Sequence, residues 1–346
     1  MIHFFSYISF NFYIKVILHG ENEKVWKYYI YGPKEDDEPI IFIPAVSGTG
    51  SCFFRQFLSL PAKGHRIISV DAPDYETQLD WIKGLELFLD NINIKSKIHL
   101  FGVGLGGYLA QLYASWRPSR VLSLILCNTF ADTSYFKDRS PFSFAYHLMP
   151  LFMLQRKILT SFPSQKRTRE ITESVDFMVD QVESQSQTIL ASKLQLNCAE
   201  GILKPQNLLK HFDDNKILIL QSIDSSSPKS FLIEMEKFYP NAKLALLKDG
   251  GDFPFISSFE EVNLHIEVHL RRIKQSIEEE NQNNNSGDNL IEEEERNQKI
   301  EFNRIQNQIE EEKVNIEENK IENNIQPQEK QNKNIYDDDE KKDLDD

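Results

Sequence analysis

Cysteine is scarce in this chain of 346 residues, which contains three: Cys52, Cys127 and Cys198. They are too few and too scattered to form a disulfide framework, and no C-x-x-C pair indicates a zinc site. We therefore expect a reducing, cytoplasmic environment. We also expect a protein that needs neither a metal nor a cofactor.

An excess of positive charge is also missing. The chain carries 39 Lys and Arg against 53 Asp and Glu, a formal net charge of −14. Residues 275–346 hold 23 acidic and 9 basic residues, so residues 1–274 hold 30 of each. The acidity thus belongs to the C-terminal segment, while the body is balanced and has no basic stripe. Nucleic-acid binding is not expected, because Lys and Arg must neutralise phosphates in such complexes.

Long uninterrupted hydrophobic runs are absent as well. The first 18 residues are rich in apolar side chains, but Asn11 and Lys15 interrupt them. A transmembrane span is therefore not expected. A signal peptide is not expected either, because neither a basic n-region nor a small-residue cleavage site is evident. We predict an opening β-strand with an apolar leader. A membrane-associated N-terminus and a mis-assigned start codon remain alternatives, and peripheral membrane association is the most we expect.

Short β-branched or aromatic runs alternate with amphipathic segments along the body. Eight runs are predicted as strands, at residues 13–19, 25–31, 39–44, 66–70, 97–101, 121–127, 216–221 and 243–247. Five segments are predicted as helices, at residues 52–60, 78–89, 108–116, 230–239 and 260–273. Such alternation with short links predicts an α/β fold, with a mostly parallel sheet and helices on both faces.

Two segments depart from this alternation. Residues 132–214 contain no convincing strand and include an aromatic, Met-rich stretch divided by Pro150, so we predict a helical cap inserted between the sixth and seventh strands. Two further sheet-flanking helices are the alternative. The Asn- and Glu-rich composition of residues 275–346 cannot bury enough apolar surface to offset chain entropy. We therefore predict one domain at 1–274 and a disordered acidic tail at 275–346.

The most informative stretch is a strand, a glycine-rich turn and a helix. The spacing G-x-G-x-x-G is satisfied by Gly102, Gly104 and Gly107. A dinucleotide-binding motif, however, should open the first βα unit, whereas several strands precede this one. It should also be followed by an acid at the end of the next strand, where this chain has Asn128. The competing interpretation is the nucleophile elbow G-x-S-x-G, which follows the fifth strand of α/β-hydrolases. Gly102-Val-Gly104-Leu-Gly106 occupies that position, with Gly104 in the place of the nucleophile.

The other parts of a hydrolase site are predicted from their order along the chain. Asp224 follows the strand after the cap, where the acid of a triad is expected. Asp252 follows the last strand, at the position where active hydrolases commonly carry a histidine. The oxyanion side of the cleft is predicted to include Val46, Ser47, Gly48 and Leu105.

This set of residues predicts a degenerate site. Gly104 supplies no hydroxyl and Asp252 no imidazole, and loss of either triad member alone costs on the order of 10⁶ in turnover. We therefore expect no serine-type hydrolysis. A hydrolase with a non-standard nucleophile remains an alternative, through Ser47 or Ser51, or through acid/base work by Asp224 paired with Asp252.

From about Lys15 to His269 the chain resembles the maspardin family of α/β-hydrolase-fold proteins. The most specific segments are residues 42–51, 53–56, 99–102, 124–134, 176–180 and 261–263. The resemblance implies a non-catalytic protein that binds other proteins, with the cytoplasmic tail of a membrane protein as partner, in endosomal or trans-Golgi trafficking. That family keeps the elbow serine but lacks the histidine, so Gly104 is a further departure.

Overall fold

A computed structural model describes residues 13–18, 24–34, 38–163 and 168–284. Its eight strands are β1 (Tyr13–Leu18), β2 (Lys24–Tyr31), β3 (Ile40–Ile43), β4 (Ile67–Asp71), β5 (Ile98–Val103), β6 (Val121–Cys127), β7 (Ile217–Ser222) and β8 (Lys243–Leu247). They form one sheet in the order β1-β2-β4-β3-β5-β6-β7-β8. β2 is antiparallel to both β1 and β4, and the other neighbouring pairs are parallel. The predicted mostly parallel sheet is confirmed.

The helices connect and cover these strands. They are α1 (Phe54–Ser59), α2 (Gln78–Asn91), α3 (Leu105–Trp116), α4 (Ser134–Arg139), α5 (Leu151–Leu159), α6 (Arg169–Glu183), α7 (Gln187–Cys198), α8 (Pro205–Leu209), α9 (Lys229–Phe238), α10 (Pro254–Ser257) and α11 (Phe259–Asn284). None of these described helices combines the length and the apolarity that crossing a bilayer requires. Residues 1–12 and 285–346, including most of the predicted tail, lie outside the described residues.

Two predicted helix boundaries were wrong. α3 begins at Leu105 rather than at residue 108, because the Gly104 carbonyl already accepts hydrogen bonds from the amides of Gly107 (3.0 Å) and Tyr108 (3.1 Å). α11 continues to Asn284, eleven residues beyond the predicted end. Its last turns are rich in Glu and Gln, which favour helix without burying an apolar face.

The central strands are buried along their whole length because helices cover both faces of the sheet. One face holds a cluster in which Trp26 stacks on Phe88 of α2 with ring centroids 4.9 Å apart. The other face holds a cluster that includes Phe42, Phe53 and Phe101. These two cores fix the strand ends, and with them the loops that carry the site.

The predicted helical cap is present between β6 and β7. It comprises α4 to α8 and a 3-10 turn, Ser143–Leu148, and no strand occurs in its described part. The cap has an apolar core of its own, where Tyr146, Leu154 and Ile158 pack with Leu190 and Leu194 of α7. It therefore forms a separate helical layer.

Candidate functional site

The turn between β5 and α3 has the backbone of a nucleophile elbow. Gly104 lies at φ 52° and ψ −118°, a conformation that glycine tolerates far better than other residues. Its N–H donates to the Cys127 carbonyl (3.2 Å), and its own carbonyl accepts from the Thr129 hydroxyl (2.5 Å). The turn is thus tied to the end of β6, at the position along the chain that the sequence indicated.

Close packing explains why two positions of the elbow are glycine, but it does not explain the third. A Cβ on Gly106 would lie 2.2 Å from the Ile43 carbonyl oxygen, and a Cβ on Gly102 would lie 2.5 Å from the Gly107 amide nitrogen. Both positions exclude any side chain. A Cβ on Gly104 would meet only the Ala45 Cβ, at 3.4 Å. There is consequently room for a side chain at the nucleophile position.

A cleft of about 450 Å³ opens between the elbow and the cap. Of the predicted residues, those that line it are Val46, Ser47, Gly104, Leu105 and Asp252. Most of the remaining lining is apolar or aromatic and comes from both layers, including Phe130, Phe136, Phe162, Phe231 and Phe253. This combination of volume and apolar lining is typical of a small-molecule or peptide-segment site.

The two acidic residues predicted for the triad are bound across neighbouring loops. Asp224, after β7, accepts hydrogen bonds on Oδ1 from the amides of Gly250 (3.1 Å) and Gly251 (2.7 Å). Asp252, after β8, accepts from the Ser225 hydroxyl (3.0 Å) and from the amide (2.6 Å) and hydroxyl (2.7 Å) of Ser226. Each loop thus supplies a carboxylate that the other loop binds; we call this arrangement the carboxylate clasp.

The clasp is a structural arrangement rather than an acid/base pair facing one pocket. Asp252 lines the cleft, but Asp224 is absent from the lining formed by the described residues. Asp252 instead accepts its three hydrogen bonds from the loop after β7. Together with the glycine at the elbow, this leaves the triad positions without a nucleophile or an imidazole.

Asn128 takes the position where dinucleotide binding would require an acid. Its Nδ2 donates to the carbonyls of Gly251 and Asp252, both at 3.2 Å, and its Oδ1 accepts from the Ser222 amide (2.9 Å). The residue, at φ 41°, therefore braces the ends of β6 and β7 against the loop after β8. Both polar atoms of its side chain are used in this way.

A second polar cluster, which no sequence pattern indicated, lies behind the loop after β3. The Lys193 ammonium of α7 donates to the Gly48 carbonyl and to Gln185 Oε1, both at 2.6 Å. Burial lowers the pKa of Lys193 to about 8, although the nearby Asp71 raises it in part. Burial raises the pKa of Asp71, whose Oδ1 accepts from the Gly50 amide (2.6 Å). These contacts join residues far apart in the chain, so local pattern could not reveal them.

This cluster also accounts for two residues of the predicted loop. Gly48 does not line the cleft formed by the described residues; its carbonyl instead binds the cap through Lys193. The Ser51 hydroxyl hydrogen-bonds Thr49 (2.8 Å) and Gln181 Oε1 (2.8 Å), and Ser51 lines a separate polar cavity of about 640 Å³. Ser47 is the hydroxyl residue of this loop that lines the cleft.

Metal-binding and disulfide chemistry find no support in the part of the chain that the structure describes. No group of three or more His, Cys, Asp or Glu side chains there could hold a metal ion. The cysteines Cys52, Cys127 and Cys198 are all free and buried. Burial raises the pKa of the Cys52 and Cys127 thiols, which makes them poor nucleophiles.

A family model described as alpha/beta hydrolase fold matches residues 38–258. Maspardin of Danio rerio is 41% identical over 261 residues, covering 75% of this chain and 82% of that protein. Maspardin of Homo sapiens is 40% identical over 259 residues, covering 74% and 82%. A carboxylesterase structure from Nitrososphaera gargenis superposes with a TM-score of 0.62 at 15% identity, covering 75% of this chain and 100% of that one, a likeness of fold alone. The chain belongs to the maspardin family of the α/β-hydrolase fold.

Proposed function

We propose that this protein is a non-catalytic binding protein, an adaptor built on a hydrolase scaffold. The observation that carries the proposal is the combination at the elbow: the turn is intact, its nucleophile position holds Gly104, and the histidine position holds Asp252 within the carboxylate clasp. A hydroxyl nucleophile and a base to activate it are both required for serine-type hydrolysis. The cleft under the cap then serves binding rather than turnover.

The proposed partner is another protein, with the cytoplasmic tail of a membrane protein as the favoured kind. Membership of the maspardin family supports this choice, as does a cleft whose apolar walls suit an extended peptide segment. We accordingly propose a cytoplasmic location with peripheral association at endosomal or trans-Golgi membranes, and a role in trafficking.

Ester hydrolysis tests the absence of catalysis. Purified protein should turn over short- and long-chain p-nitrophenyl esters no faster than the Gly104→Ala variant, because neither contains a hydroxyl at the elbow. A fluorophosphonate probe should leave both unlabelled. A burst of product from the wild-type chain that the variant lacks would overturn the proposal.

Partner binding is tested by filling the cleft. Ser140 lines the cleft, so Ser140→Trp should weaken binding to immobilised cytoplasmic-tail peptides of endosomal and trans-Golgi membrane proteins by about tenfold or more. Ser276→Trp, on α11 away from the cleft lining, is the matched control and should bind as the wild type does. Equal binding by both variants would place the partner elsewhere on the protein.

A hydrolase of small esters or lipids with a non-standard nucleophile is the second candidate. Ser47 favours it, because this serine lines the cleft together with Gly104 and Leu105. However, no histidine belongs to the cleft lining in the described chain, so the serine lacks an imidazole base. Fluorophosphonate labelling that Ser47→Ala abolishes would establish this candidate in place of the first.

A further inference from the structure

The outer side of the cap carries unusually exposed apolar side chains. Among the described residues, the four most exposed large hydrophobic side chains are Leu148 (84%), Phe142 (71%), Phe144 (67%) and Phe152 (67%). All four lie within eleven consecutive residues, and we call them the outer cap surface. Isolated exposed hydrophobic residues need no explanation, but such a concentration indicates an interaction surface.

The anchoring of the cap explains why these side chains face outward. Tyr146 of the 3-10 turn and Leu154 and Ile158 of α5 are buried in the core of the cap. They fix both elements on α7, and the four exposed side chains are not part of that core. The rings of Phe142 and Phe144 contact each other edge to face, with centroids 6.3 Å apart, rather than packing into the protein.

The segment is also basic, unlike the chain as a whole. Residues 134–163 contain Lys137, Arg139, Arg156 and Lys157 but a single acid, Asp138, a net charge of +3 in a chain of net charge −14. On α5, the exposed Arg156 lies one turn after Phe152 on the same face. The exposed Lys157 lies on the flank of α5 that lines the cleft, with its ammonium 5.5 Å from the centroid of the Tyr146 ring. Basic side chains therefore border the apolar ones at the rim of the cleft.

We propose that the outer cap surface docks on an anionic lipid bilayer. Phenylalanine and leucine side chains would enter the boundary between headgroups and acyl chains, while Arg156 and Lys157 would bind anionic headgroups. The net charge of +3 over residues 134–163 complements the negative surface of an anionic bilayer. The proposal builds on the peripheral membrane association proposed above and does not depend on the absence of catalysis.

Vesicle sedimentation of the full chain tests the docking. The wild type should bind vesicles of phosphatidylcholine with phosphatidylserine and bind pure phosphatidylcholine weakly. Replacing Phe142, Phe144, Leu148 and Phe152 together by serine should reduce partitioning by about a hundredfold or more. Ile223→Ser with Ile233→Ser is the matched control, because these side chains are 62% and 64% exposed outside the cap, and it should bind normally.

The charge contribution needs its own pair of variants. Arg156→Gln with Lys157→Gln should lower partitioning by about tenfold or more at low salt and by less at high salt. Lys210→Gln with Lys248→Gln, two exposed lysines outside residues 134–163, removes the same charge and should have a much smaller effect. An equal loss of partitioning for the two pairs would mean that net charge alone attracts the protein to the vesicles. That result would contradict docking through one specific surface.

A fluorescent reporter locates the contact directly. Phe152→Trp should show a blue shift on addition of anionic vesicles, and Ile233→Trp should not. Three results would overturn the proposal: no vesicle binding by the wild type, unchanged binding by the four-serine variant, or a stable dimer that this variant converts to monomer. Vesicle binding that requires removal of residues 285–346 would also overturn it for the full chain. None of these results alters the ester or peptide experiments, so the two proposals can fail separately.

Discussion

The two sides of the candidate site resemble an active hydrolase to different degrees. On the elbow side, formed by β5, α3 and the loop after β3, the backbone of a hydrolase is present down to the conformation of Gly104. On the other side, formed by the loops after β7 and β8, the side chains are arranged as the carboxylate clasp. Packing constrains Gly102 and Gly106 whatever the chemistry, whereas a side chain at the position of Gly104 would meet only Ala45.

The largest expected effect distinguishes packing from chemistry within the elbow. Gly106→Ala should destabilise the protein by at least about 3 kcal/mol, because its Cβ would overlap the Ile43 carbonyl, which is backbone and cannot move aside. Gly104→Ala should cost only about 1 kcal/mol, from its positive φ. Urea unfolding measures both variants. Similar losses would mean that the nucleophile position is also constrained by packing.

Acid should weaken the fold through two buried histidines, one of them on the elbow strand. Burial lowers the pKa of His99 on β5 and of His269 on α11 to about 3. The unfolded chain binds these protons near pH 6.5 and the folded chain does not, so stability falls as pH falls from 6.5 towards 3. The loss should approach about 1 kcal/mol per pH unit for each histidine.

The control for this pH dependence keeps the hydrogen bond but removes the titration. His99 Nδ1 pairs with the Ser123 hydroxyl at 2.7 Å, and His99→Gln retains a polar partner for it. Urea unfolding between about pH 7 and about pH 5 should show a shallower slope for the variant. An unchanged slope would assign the acid sensitivity to other groups.

The carboxylate clasp should contribute less to the free energy of unfolding than the packing at Gly106 does. Asp252→Ala leaves the amide of Ser226 and two hydroxyls without their acceptor, and we expect a loss of about 1–3 kcal/mol. Asp249→Ala, an exposed acid in the same loop, is the control and should stay within about 0.5 kcal/mol of the wild type. Thermal unfolding checks both; equal melting temperatures would show that the clasp does not stabilise the loops.

The smallest expected effect is a gain of reactivity towards a fluorophosphonate when both missing triad side chains are restored. Gly104→Ser has room for its side chain, yet alone it should remain unlabelled by a fluorophosphonate, since Asp252 offers no imidazole. Adding Asp252→His should give slow but detectable labelling. If the single variant labels as fast as the double, another base serves the elbow and the comparison between the two sides fails.

The strands of the sheet were predicted well because each strand is recognisable from its own residues. Apolar β-branched runs such as those of β5 and β6 are buried on both faces, so each strand is recognisable without its neighbours. The position of Gly104 followed from strand order for the same reason. The end of α11 was missed because Glu and Gln continue a helix as readily as they form a polar tail.

The polar contacts of the site could not be predicted in this way. Asp224 and Asp252 follow β7 and β8, but their binding across two loops depends on how those loops meet in space. The contact of Lys193 with the Gly48 carbonyl spans 145 residues, and no spacing rule relates the two positions. Such contacts depend on the docking of the cap, which only the folded chain defines.

Hydrogen bonds from α6, α7 and the turn between them hold the cap on the loop after β3. Lys193 binds the Gly48 carbonyl, Gln185 Nε2 binds the Ser47 carbonyl at 3.2 Å, and Gln181 binds Ser51. Hinge opening of α6 and α7 would break all three contacts and expose a partly buried ammonium. These contacts therefore oppose an opening of the cleft in which α6 and α7 separate from the loop after β3.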